Sequence, residues 1–130
     1  IAREQAHTMS NMSKKGTYSY MAPEIYKGEK YDSSIDIYSL GIVLYKLMNQ
    51  NRLPFLSLDK QLITYRDKET ALARRMAGEK MPAPVNASAA FSHIILKACA
   101  YEPGKRYRKP EDMLRDLEKL RLAPVNAPSS

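Results

Sequence analysis

Side chains able to do chemistry are thinly spread through this chain. His93 and Cys99 come nearest to a metal pair, yet six positions apart on one helix they face different directions. Cys99 continues an apolar stripe and reads as packing. Gly16, Gly28 and Gly41 make no loop that would cradle a phosphate. Hydroxyls are the richer class. Thr8, Ser10 and Ser13 lie in a polar opening segment. A phosphate there would add about −1.5 to −2 charges and order the segment by pairing with arginine. Asp36 is a carboxylate at the head of an apolar run, where an N-terminal cap is worth about 1 kcal/mol.

The elements that would position these groups follow from spacing. Residues 1–15 are polar, without apolar periodicity, and read as a loop. Pro23 suits a first helical position, and Gly28 would end that short turn. Ser33-x-x-Asp36 has the spacing of a capping box, with Asp in the third place. Behind it Ile35, Ile37, Leu40, Ile42, Val43, Leu44, Leu47 and Met48 cover every side of a helix, which predicts burial all round. Residues 56–68 are irregular. A short helix is expected over 69–77, with Leu72 and Met76 on one face and Gly78 as its stop. Residues 88–101 form another, carried by Phe91, Ile94, Ile95, Ala98 and Cys99 and broken by Pro103-Gly104. Pro110 opens the last, with Glu111 and Asp112 in its first turn and Met113, Leu114, Leu117 and Leu120 as its core stripe. Residues 123–130 read as the start of a linker. The class is mainly α.

Composition bounds the rest. The chain has 130 residues, 44% of them hydrophobic and 27% charged, enough for a single core. One cysteine excludes an internal disulfide and suits a cytoplasmic location. No apolar run approaches the ~18 residues that a membrane span needs. The net charge of +7 reads as basic residues scattered over solvated faces, with small clusters at Lys14-Lys15, Arg74-Arg75 and 105–109. They carry no aromatic interleaving or recognition-helix pattern, so nucleic acid is not the expected partner.

Four stretches stand in a telling order: Ile1-Ala2-Arg3, then Gly16-Thr17 through Ala22-Pro23-Glu24, then Asp36-Ile37-Tyr38-Ser39-Leu40-Gly41, and last Pro103-x-x-Arg106 before a terminal helix. Together they resemble the C-terminal lobe of a protein kinase, from just past the metal-binding Asp-Phe-Gly to the last helix. Gly16-Thr17 before Met21 is similar to the serine/threonine branch, and Tyr38, where many eukaryotic members have tryptophan, to bacterial kinases. The parent domain would be α+β, with this chain its helical part. The implied organisation is an activation segment and substrate-pocket loop at 1–22, a helical core at 23–122 and a linker from 123.

The resemblance implies roles for single residues. Glu24 would pair with Arg106 in a partly buried ion pair. Asp36 would anchor the catalytic loop by accepting its backbone hydrogen bonds. Gly16, Thr17, Tyr20 and Met21 would shape the pocket for the substrate residue after the acceptor hydroxyl. Ser13 falls where the family often carries its activating phosphate, with Ser10 and Thr8 as further candidates. Lys46 stands where many relatives place a glutamate, with no evident local partner.

The activity implied for the parent is transfer of the ATP γ-phosphoryl group to a protein serine or threonine, with ATP and Mg2+ as cofactors. None of the nucleotide-binding or catalytic motifs is expected in this chain, which should hold no cofactor or metal and be inert alone. The expected partners are a protein substrate, the N-terminal part of the kinase, and a second copy of the chain through apolar surface left uncovered on the central helix. A pseudokinase-type scaffolding module is the alternative.

Overall fold

Tyr38, Ile42 and Tyr45 recur at the three-to-four spacing of one helix face, and all three are almost wholly buried. The computed structural model describes residues 17–126. A 3-10 turn at Thr17–Tyr20 leads into α1 (Pro23–Tyr26), α2 (Ser34–Leu47), α3 (Tyr65–Met76) and α4 (Ala89–Ala98). A second 3-10 turn at Pro103–Lys105 then precedes α5 (Pro110–Asn126). No strand occurs among the described residues, so the architecture is helical.

The seam between α2 and α4 is the core. Ile37, Tyr38, Ile42 and Tyr45 of α2 meet Ile94, Ile95 and Ala98 of α4, with Cys99 beside them. Full burial of each large apolar side chain contributes about 1.5–3 kcal/mol. The helices approach closely because position 41 lacks a side chain. A Cβ on Gly41 would lie 2.6 Å from Cys99 Sγ and 2.9 Å from the Ala98 Cβ. Met113 of α5 and Tyr107 close the other side of α4.

Backbone bonds fix the ends of the elements. Gly28 has a φ of +71°, a conformation that suits a residue without Cβ. Its N–H donates to the Ile25 carbonyl at 3.1 Å, and Glu29 N–H donates to Glu24 O at 2.8 Å, which closes α1 directly behind Glu24. Asn49, buried just past α2, accepts from Val85 N–H at 3.0 Å and donates to Arg52 O at 2.9 Å. Tyr45 Oη donates to Pro82 O at 2.8 Å, tying the proline-rich connection to the same helix.

Several sequence expectations are corrected. The box at Ser33-x-x-Asp36 does not form. Ser33 is already at helical dihedrals, φ −66° and ψ −13°, and its side chain makes no cap bond. Asp32 Oδ1 accepts instead, from Ser34 Oγ at 2.6 Å and Ser34 N–H at 2.9 Å. Those two bonds, the hydroxyl first, hold the Asp32 carboxyl below its usual value.

A reciprocal box forms where none was expected. Thr64 Oγ1 accepts from Asp67 N–H at 3.1 Å, and Asp67 Oδ2 from Thr64 N–H at 2.9 Å. This starts α3 at Tyr65, within the stretch read as irregular. A hydrogen bond from Lys60, with the backbone bond from Thr64, lowers the Asp67 pKa to about 2.

Helix α2 is not buried on all sides. Leu40, Val43 and Leu47 are exposed, because the described neighbours pack on one face only. Leu114 points outward from α5 rather than into its stripe, and Met113 takes the core place. Helix α4 stops at Ala98 and not near 101, with Cys99 as its cap. Helix α5 runs to Asn126, past the expected linker boundary at 123.

Candidate functional site

Glu24 enters from α1, and Arg106 follows the second 3-10 turn. Their side chains meet in a fork. Arg106 Nη1 donates to Glu24 Oε2 at 2.6 Å and Nη2 to Oε1 at 2.9 Å. The two side chains are 0% and 5% exposed, so the pair is fully desolvated. The other donors of the guanidinium are also used. Nε donates to Ala100 O at 2.7 Å, Nη2 to Tyr101 O at 3.1 Å, and Nη1 to Ser34 Oγ at 3.3 Å. One arginine therefore joins α1, the head of α2 and the end of α4. Its plane also lies 4.8 Å from the centroid of the Tyr38 ring.

A second guanidinium lies on the same ring. Arg75 of α3, 5.7 Å from the Tyr38 centroid, is 4% exposed, so the cluster Arg74-Arg75 is not a solvated face. Arg74 alone faces outward and pairs with Glu79 at 2.8 Å. Arg75 Nη1 donates to Tyr38 Oη at 2.9 Å and Met21 O at 3.1 Å. Its Nη2 donates to Tyr18 O and Ser19 O, both at 2.9 Å. Ser39 Oγ donates to Tyr20 O at 2.7 Å. Burial pushes the Tyr38 phenol above its ordinary pKa, against the pull of Arg75. Sequence reasoning missed Arg75; the available signal was its place four residues after Ala71, on the face that also buries Met76.

The turn Thr17–Tyr20 borders an open cavity of about 830 Å3, whose lining includes Tyr18, Tyr20, Lys46, Leu53, Tyr65 and Arg75. Lys46 Nζ donates to Tyr20 Oη at 3.2 Å, so its local partner is a phenol rather than a carboxylate. Thr17 opens the turn, and Met21 lies between it and α1. Gly16, Ser13, Ser10 and Thr8 lie outside the described residues. Asp36 is exposed on α2, on the face that carries Leu40, Val43 and Leu47, well apart from the ion pair in role. His93 is exposed while Cys99 is buried, and burial raises the Cys99 thiol to about 12. Among the described residues no group of histidine, cysteine, aspartate or glutamate side chains gathers as a metal site.

A helical lobe, a turn locked to its core and a buried glutamate–arginine fork define the C-terminal lobe of a protein kinase. Residues 1–116 match the family described as protein kinase domain, and the chain belongs to that family. It is similar to a probable serine/threonine-protein kinase, CPE1738, of Clostridium perfringens, 32% identical over 120 residues that cover 92% of this chain and 16% of that protein. It is also similar to the serine/threonine-protein kinase PknB of Mycolicibacterium smegmatis, 30% identical over 137 residues, covering 100% of this chain and 20% of the relative. The serine/threonine/tyrosine-protein kinase HT1 of Arabidopsis thaliana is 34% identical over 91 residues, or 70% of this chain and 21% of that kinase. The chain thus spans between 16% and 21% of the length of these relatives. No described helix is long and apolar enough to cross a membrane.

Proposed function

We propose that this chain is the substrate-facing part of a protein serine/threonine kinase that transfers the ATP γ-phosphoryl group to a protein hydroxyl. The observation that carries the reading is the buried Glu24–Arg106 fork, which fixes the segment directly behind the turn Thr17–Tyr20 to the helical core. Gly16, Thr17, Tyr20 and Met21 bind the substrate residue that follows the acceptor hydroxyl. Asp36, exposed at the head of α2, accepts backbone hydrogen bonds from the catalytic loop, and phosphate on Ser13, Ser10 or Thr8 regulates the segment. The exposed Leu40, Val43 and Leu47 pack against the remainder of the kinase or, in its absence, against a second copy. The setting is the cytoplasm.

Family membership implies ATP and Mg2+ for the whole enzyme. What the chain contributes is position. Phosphoryl transfer depends on alignment and electrostatics, and a held turn supplies alignment of the acceptor. The full-length protein is expected to phosphorylate serine/threonine peptides from labelled ATP, and the isolated chain to incorporate nothing above a no-enzyme control. A folded full-length protein that transfers no phosphate to any peptide of a degenerate library overturns the reading.

A further inference from the structure

We propose that Arg75 is a positioning residue for substrate recognition, setting the shape of the turn that receives the polypeptide substrate. The proposal rests on the kinase reading above. Every carbonyl from Tyr18 to Met21 accepts a hydrogen bond from a helix side chain: Arg75 holds those of Tyr18, Ser19 and Met21, and Ser39 holds that of Tyr20. A backbone whose successive carbonyls all point at fixed donors has little freedom left in its φ and ψ angles. The tyrosine side chains of the same turn line the cavity, so their placement follows from where the carbonyls are pinned.

Arg75 is unlike a stabilising ion-pair arginine. No carboxylate pairs with it among the described residues. Its donors go to three carbonyls and one phenol, which makes it a template for a backbone rather than a partner for a charge. The geometry needs a planar fork. Lysine offers three donors from one nitrogen and cannot reach the carbonyls of Tyr18, Ser19 and Met21 and the Tyr38 hydroxyl together. Tyr38 Oη in turn fixes Nη1, so the line of control runs from α2 through α3 to the turn.

The test uses the full-length protein with Arg75→Gln, Arg75→Lys and Tyr38→Phe, measuring KM for peptide and for ATP separately from kcat. Arg75→Gln is expected to lower kcat/KM for peptide roughly ten- to a hundredfold through peptide KM, leaving ATP KM unchanged. Arg75→Lys should fall between it and the parent, and Tyr38→Phe, which removes one hydroxyl, should show the smallest loss. Chymotryptic cleavage after Tyr18 or Tyr20 should quicken in the same order. A peptide KM for Arg75→Gln within about twofold of the parent overturns the proposal, as does a loss confined to the fraction of active protein at unchanged KM. A parent enzyme that transfers no phosphate overturns the kinase reading instead, and cleavage still decides whether Arg75 holds the turn: unchanged cleavage in Arg75→Gln overturns the proposal on its own.

Discussion

Arg75 and Arg106 lie against the same tyrosine ring, and both are buried, yet they hold different things. Arg106 meets a carboxylate in a fork, and its remaining bonds go to neighbours. Arg75 meets only neutral oxygens, three of them main-chain carbonyls of a surface turn. The first is a fastening between elements and depends on charge. The second is a mould for a short stretch of backbone and depends on the number and direction of donors. A buried arginine therefore does not announce its task by burial; its acceptors do.

The contrast can be broken by substitution. Arg106→Met should be the most damaging change, costing about 3–5 kcal/mol in urea unfolding, because it leaves Glu24 buried and charged. Adding Glu24→Leu should recover much of that loss. Arg75→Met should cost less, about 2 kcal/mol, since it strands neutral carbonyls next to an open cavity. No second-site change should rescue it, because three of its four acceptors are backbone atoms. Rescue of Arg75→Met, or none of Arg106→Met, would erase the distinction.

Next in size is the seam that carries both arginines' partner ring. Gly41→Ala puts a methyl against Cys99 and Ala98 and should cost about 1–3 kcal/mol by overpacking, read as a fall in the urea midpoint. The smallest effect concerns α3 and so Arg75's side alone. Asp67 titrates near 2 in the folded chain, held down chiefly by Lys60, against an ordinary 3.8. Its contribution is therefore present above pH 4 and lost as pH falls through about 2. Amide protection factors at the start of α3, corrected for the intrinsic pH dependence of exchange, should fall over that window, and Asp67→Asn should flatten the response.

Much of this was legible beforehand, for physical reasons. Glu24 and Arg106 stand in stretches whose order carries the family resemblance, and the helices followed from apolar spacing and from Gly28 and Pro110. The two capping boxes show the limit. Ser33-x-x-Asp36 and Thr64-x-x-Asp67 have the same form, but only the second has its first residue in extended geometry, ψ 167°, from which the hydroxyl reaches back to the helix. That angle depends on the preceding chain, and sequence spacing does not encode it. Arg75 was illegible because its neighbour Arg74 is exposed, and an adjacent pair of like charges reads as surface. Leu40 and Val43 read as core because hydrophobicity states what a residue avoids, not whether the neighbour that covers it is at hand.

Cys99 gives the molecule a built-in clock. It is the chain's one thiol, sealed at the crossing of α2 and α4 with a pKa near 12, so almost none of it is thiolate at neutral pH while the seam stays shut. Its alkylation by iodoacetamide should proceed in proportion to the fraction of molecules in which the two helices have parted, which turns a single mass shift into a measure of how far the core opens.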